Sequence, residues 1–242
     1  MAYPEDKQAT INANTLTIFE YEAQVDRNQC HYRQLETFKR DLHSTAEVSG
    51  SVLTGSGRPV SRGWVYLVNA AYPADSELNK IENDGSFRFK SVAVGEYYLA
   101  LNPHNEPPDE TDAPYPGTYY PNAADASAAT KIVVTAGVKL ENLTLRLGSS
   151  WKGRDVTGKV VWPDGRPAQG AHIYLYYDNR FARWIKLDEK GRFSFKVYGD
   201  FKYAISAEVW RPNPGKSERL SLTEKSTGLK LILQHVQKDD FD

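Results

Sequence analysis

The chain is predicted to be all-β: two tandem antiparallel Greek-key β-sandwiches preceded by an N-terminal β segment. Three observations predict this. The sequence repeats itself, since Val48–Leu67 (VSGSVLTGSGRPVSRGWVYL) aligns without a gap on Val156–Leu175 (VTGKVVWPDGRPAQGAHIYL). Within each copy apolar residues alternate with polar ones, the period of a strand with one buried face. Reversal signals built from Gly, Asp and Pro recur at roughly ten-residue spacing with no helical period between them, the pattern of a sandwich.

The elements follow in chain order. Residues 1–46 hold a strand-like alternation at Leu16–Val25, and Val25–Phe38 resembles Val134–Leu147. Each of those two stretches stands just before a V-[ST]-G strand, so residues 1–46 read either as the last strands of a preceding repeat or as an extension packed on the first domain. The first sandwich spans residues 47–148. It opens with Val48, Gly50 and Val52 on one face and turns at Gly55-Ser56-Gly57-Arg58-Pro59. The next strand places Val65 and Leu67 opposite Trp64 and Tyr66. Asn83-Asp84-Gly85 reverses the chain into Phe87 and Phe89, an inward pair at period two. The second sandwich, residues 155–236, repeats the order: Pro163-Asp164-Gly165-Arg166-Pro167, then Glu189-Lys190-Gly191, then Phe193 and Phe195. Gly148–Gly153 links the two. The copies differ most after Leu101, where the first carries the long insertion Asn102–Thr130 (NPHNEPPDETDAPYPGTYYPNAADASAAT). Loops of this length are usually functional or disordered. Within it, Ala123–Thr130 (AADASAAT) is the one stretch suited to a short helical turn.

Composition narrows the function. Thirty basic residues balance 31 acidic ones, so no basic stripe points to nucleic acid. Fifteen tyrosines against one methionine suit half-buried sheet surfaces. Cys30 stands alone, which removes an internal disulfide and any zinc-finger spacing. No stretch approaches the ~20 apolar residues of a spanning helix. The first residues, MAYPEDKQATINAN, are polar where a signal peptide has its apolar core.

The order V-[ST]-G-x-V, G-R-P, [VI]-Y-L, [DE]-x-x-G-x-F-x-F and G-x-Y-x-L resembles the carboxypeptidase regulatory-like domain. The resemblance implies a prealbumin-like (transthyretin-like, Ig-like) sandwich, similar in style to collagen-adhesin B-type repeats. It covers both copies and departs at Lys190, where Asp is usual, and at Phe201, where Gly is usual. Pro114–Pro121 (PYPGTYYP) with the alanine-rich stretch after it is similar to tandem copies in bacterial secreted or cell-surface proteins. The implied role is a noncatalytic accessory or adhesive one outside the cytoplasm, with this chain a segment of a longer secreted precursor.

Chemistry is hard to find in the sequence. The five histidines, His31, His43, His104, His172 and His235, form no H-x-x-E or H-x-H pair, which argues against a peptidase zinc or a dioxygenase iron site. The ending Lys238–Asp242 lacks the terminal motif of hydroxyisourate hydrolases. There is no G-x-S-x-G elbow and no phosphate loop. Asp84, Asp164 and Asp188 sit at hairpin turns, where Asp caps its own backbone rather than binding calcium. Lys159 has no Asn partner that would suggest an intramolecular isopeptide bond. No catalytic residue, metal or cofactor is therefore assigned. The candidate ligand-binding residues are aromatic. Tyr115, Tyr119 and Tyr120 lie among stiffening prolines, while Tyr177 and Trp184 flank Asp178-Asn179-Arg180. Such rings either complete the core or present faces to a polysaccharide or another surface protein.

Overall fold

In the computed structural model of the chain, residues 7–11, 15–26, 29–41, 45–210 and 213–236 are described, those up to Thr45 as strand backbone only. His43, Lys238 and the other C-terminal residues lie outside them. The predicted alternations become strands throughout. The N-terminal segment is an antiparallel meander of β1 (Lys7–Ile11), β2 (Thr15–Asp26) and β3 (Gln29–Asp41). The alternating Leu16–Val25 lies inside β2.

The first copy supplies β4 (Thr45–Leu53), β5 (Trp64–Asn69), β6 (Ser76–Lys80), β7 (Ser86–Ala93), β8 (Gly95–Leu101), β9 (Thr118–Tyr119), β10 (Ile132–Val134) and β11 (Lys139–Arg146). The second supplies β12 (Gly153–Val161), β13 (His172–Tyr177), β14 (Arg180–Lys186), β15 (Arg192–Tyr198), β16 (Tyr203–Val209), β17 (Gly215–Lys216), β18 (Leu220–Ser221), β19 (Leu229–Ile232) and β20 (Gln234–His235). In the first copy, the sheet β10-β8-β5-β6 faces β11-β4-β7. In the second, β14-β13-β16-β17-β20 faces β15-β12-β19. The expected all-β sandwich architecture is present in both.

The chain divides into two compact units. One comprises Met1–His104 with Tyr115–Ser149, the other Asn105–Pro114 with Ser150–Asp242. The long insertion is therefore split, its acidic middle grouping with the second unit.

The repeated residues form the same core twice. Val48, Val52, Val65, Leu67, Phe87, Phe89, Tyr97 and Leu99 are buried, and so are their counterparts Val156, Val160, Ile173, Leu175, Phe193, Phe195, Tyr203 and Ile205. Removing this apolar area from water supplies most of each unit's stability. The G-R-P identity is a turn. Gly57 and Gly165 take φ of +81° and +88°, a region that suits glycine. The Arg58 and Arg166 carbonyls accept from the Thr54 and Trp162 amides at 2.8 and 2.9 Å.

The aspartates serve as turn caps. Asp84 Oδ1 accepts the Ser86 amide at 2.9 Å and Asp164 Oδ1 the Arg166 amide at 3.0 Å. In the second copy the Asp missing at position 190 is replaced by Asp188, which accepts the amides of both Lys190 (2.9 Å) and Arg192 (2.7 Å). The alanine-rich stretch contains a single 3₁₀ turn, Ala126–Ala128, capped by the Asp125 carboxylate.

Alternation did not carry one feature. In each small sheet the first and last strands pair parallel, β4 with β11 and β12 with β19. Parallel pairing needs a crossover, and here the last strand arrives from the opposite sheet. The repeated glycine of V-[ST]-G marks the closest approach in that pair. A Cβ on Gly50 would run into the Leu143 carbonyl, and one on Gly158 into the Leu229 carbonyl and the Phe193 ring.

Candidate functional site

The second unit's larger sheet presents an aromatic outer face. On β13, Ile173 and Leu175 point into the core, so His172, Tyr174 and Tyr176 point outward, half-exposed. On β14, Trp184 lies directly opposite Tyr174. The β14 register then shifts between Leu175 and Tyr176, a bulge that brings Phe181, not Ala182, opposite Tyr176. Bulges re-aim side chains in this way. Trp184 and Phe181 are 52% and 53% exposed, among the largest apolar surfaces open on the described residues.

The rings touch in series. His172 meets Trp184 edge to face at 5.0 Å between centroids, Tyr174 meets Phe181 at 5.8 Å, and Tyr176 meets Phe181 at 6.1 Å. Trp210, 50% exposed, donates its indole N–H to the Tyr174 hydroxyl at 3.1 Å and extends the face. The Arg219 guanidinium lies 3.7 Å from the Tyr176 ring centre, and the Lys186 ammonium 5.8 Å from that of Trp184.

On β16 the same face is polar and buried. Glu208, opposite His172, pairs with Lys216 at 3.2 Å. Ser206, opposite Tyr174, has a buried hydroxyl that makes no hydrogen bond among the described residues. A contiguous aromatic patch with a cationic rim is built for contact, because rigid rings lose little conformational entropy when they bind.

The five predicted site residues fall in three places. Trp184 belongs to the aromatic face. Tyr177 is the neighbour of Tyr176 but lies on the other side of the sheet, against Phe201 at 5.8 Å and opposite Tyr203. Burial raises its phenol pKa, and the nearby Glu106 carboxylate adds to the effect. The other three belong to the first unit and are half-buried. Tyr119 lies in β9, paired to β8, packs edge-on against Tyr98 at 6.4 Å and donates its hydroxyl to the Pro103 carbonyl at 3.1 Å. Burial raises its pKa too. The Tyr120 backbone donates to the Leu99 carbonyl and accepts from Thr130, and Tyr120-Pro121 is a cis peptide. Tyr115 is tied down through its carbonyl, which accepts from Asn102 at 3.2 Å.

Sequence reading assigned no site role to Tyr174, Trp210 and Arg219. Tyr174 is the repeat partner of Tyr66, which reads as a fold position, and the other two come from a different strand connection. His172 packs edge-on against the Trp184 ring. Among the described residues no group of three His, Cys, Asp or Glu side chains is placed to hold a metal ion, and no helix is long and apolar enough to cross a membrane.

No protein-family model matches the chain. No curated protein matches it. Among solved structures it is similar to the Bacillus anthracis TIE protein, with 15% identity over 90% of this chain and 41% of that one and a TM-score of 0.31. It is similar also to the Streptococcal ancillary pilin (11% identity, 92% and 76% of the two chains, TM-score 0.37). The shaft pilin SpaA of Lactobacillus rhamnosus GG gives 11% identity over 80% and 99%, with a TM-score of 0.38. The chain spans about two fifths of the TIE protein's length. At these scores the fold assignment rests on the sheets themselves.

Proposed function

We propose that this chain is a noncatalytic accessory module of an extracellular or cell-surface bacterial protein, serving adhesion, display or spacing through contact with another surface protein. Two tandem sandwiches of carboxypeptidase regulatory-like type provide the scaffold, and the repeat motifs support that assignment. The aromatic face of β13 and β14 provides the contact. The observation that carries this reading is the continuity of the rings from His172 through Trp184, Tyr174, Phe181 and Tyr176, of which Trp184 and Phe181 are open to solvent and the other three half-exposed. Interfaces concentrate Trp, Tyr and Arg in this manner.

A second reading is carbohydrate binding. The half-exposed indole of Trp184 favours it, because flat rings stack on sugar faces. The test is retention of the chain on a panel of soluble and insoluble polysaccharides, with a Trp184→Ala/Phe181→Ala double variant and a Tyr115/Tyr119/Tyr120→Ala triple variant beside it. Retention lost in the double variant assigns a glycan to the aromatic face. Retention lost in the triple variant moves the glycan site to the first unit. No retention by the wild type leaves protein contact, which crosslinking of the intact chain to cell-surface extracts then examines with the same double variant.

A further inference from the structure

The second unit contains a segment that behaves as a bound peptide. Asn105–Pro114 (NEPPDETDAP) has four carboxylates, three prolines and no base. It lies along the open side of the second sandwich, where β14 and β15 are edge strands. Between this segment and the sandwich is a cavity of about 490 Å³. Its floor includes the core residues Leu175 and Val197, and its rim carries Tyr177, Phe181, Arg180 and Arg183.

Charge is complementary across the cavity. Arg183 pairs with Glu110 at 3.1 Å, and Arg180 lines the same cavity as Glu106, Asp109 and Asp112. Lys196 is on the rim too but is bridged to Asp155 at 2.5 Å. Ala113 is 4% exposed, an apolar anchor, and the Pro114 carbonyl accepts the Trp151 amide at 2.7 Å. The segment is held in shape from within. Asp109 Oδ1 accepts the amides of Thr111 and Asp112 and the Thr111 hydroxyl, at 2.6 to 3.1 Å.

Three features separate this from a loop that merely closes a core. The segment's middle is exposed, with Asp109, Glu110 and Thr111 open to solvent. The segment does not close-pack on the sandwich: a cavity of about 490 Å³ separates them, above the already buried Leu175 and Val197. The polar contacts are those of acidic-motif recognition, an Arg pair facing carboxylates on an extended, proline-stiffened chain.

We propose that the groove between β14 and β15 is a recognition site for acidic, proline-containing extended peptides of a partner protein, and that Asn105–Pro114 occupies it as an internal pseudo-ligand. Phe181 borders both this groove and the aromatic face, whereas Arg183 belongs to the groove, so Arg183→Ala tests this inference apart from that reading. The covalent tether gives the internal segment an effective concentration on the order of millimolar. A partner segment must therefore bind better than the tethered one or arrive in multiple copies.

The experiment titrates a fluorophore-labelled peptide, NEPPDETDAP, with the full chain and follows anisotropy. A chain carrying Glu106→Gln, Asp109→Asn, Glu110→Gln and Asp112→Asn releases the groove and is expected to bind the peptide at least tenfold more tightly than the wild type. Adding Arg183→Ala to that chain is expected to weaken binding at least tenfold. A peptide with alanine at both adjacent prolines is expected to bind several-fold more weakly. Glu110→Gln alone, at a carboxylate 77% exposed, cannot collapse the fold and is expected to give a smaller gain in the same direction. Tryptophan fluorescence melts establish that each variant is folded. No gain in peptide binding by the single or the fourfold variant overturns the proposal, as does binding that ignores Arg183→Ala.

Discussion

Tyr203 makes the packing of the second unit sensitive to alkali. Its side chain is buried among the strands of the larger sheet and donates its hydroxyl to the Tyr198 carbonyl at 2.7 Å. Burial pushes its pKa up from 10.0 to about 12, against a smaller pull downward from the Tyr198 amide, Arg154 and Arg183. Below pH 10 the phenol is neutral in the folded and the unfolded chain, and its contribution is fully present. Between pH 10 and about 12 the unfolded chain ionises while the folded one keeps its proton, so stability falls as pH rises. A shift of two units corresponds to about 2.7 kcal/mol in all, and about 1.4 kcal/mol of this is lost by pH 11. Tyr203→Phe costs about 1–2 kcal/mol at pH 8, from the lost hydrogen bond and the orphaned carbonyl. It also removes the phenol's ionisation. Urea titrations at pH 8 and pH 11 measure both effects. Four of the five tryptophans, at 151, 162, 184 and 210, belong to the second unit, so indole fluorescence reports it. Other titrating groups are common to both chains and cancel in the difference. The stability gap between wild type and Tyr203→Phe should narrow by about 1.4 kcal/mol on going to pH 11. A gap that stays constant refutes the assignment of the buried proton to Tyr203.

Gly158→Ala places a methyl against the Leu229 carbonyl and 2.5 Å from Phe193 Cζ. It should destabilise by about 1–3 kcal/mol despite the smaller chain-entropy gain of Gly→Ala. Gly148→Ala, with nothing within 4 Å, should stay within about 0.5 kcal/mol, and calorimetry of the two variants makes the comparison. Lys216→Ala leaves the buried Glu208 carboxylate uncompensated and should lower the urea midpoint of the second unit more than Glu208→Gln does, by about 1–3 kcal/mol against less than about 1. Trp184→Ala should cost about 1–2 kcal/mol, because half of the ring is covered and it packs on His172. The same variant should reduce whatever binding the aromatic face provides, and a thermal melt beside the retention assay separates the two effects.

Much of the fold was legible because the copies constrain each other. A position that is apolar or glycine in both, such as Val48/Val156, Gly50/Gly158 or Phe87/Phe193, serves the sandwich, and the period-two alternation assigns it a face. The turns were legible because G-R-P and the Asp-capped reversals act through local backbone geometry. The site was legible only in part. Trp184 was identified from its loop, but Tyr177, on the neighbouring strand β13, points to the opposite side of the sheet. Alternation alone implies that separation, yet the Tyr176-Tyr177 pair hides which of the two faces outward.

The sequence by itself determined the two sandwiches, their turns and their cores, because strand period and turn chemistry are short-range properties. Only the tertiary structure decided the rest. The β14 bulge selects Phe181 over Ala182 for the aromatic face. The crossover pairs β12 with β19 in parallel and requires Gly158. The acidic middle of the insertion joins the second unit opposite Arg183. Each of these depends on which residues distant in the chain arrive together, and no local pattern records that.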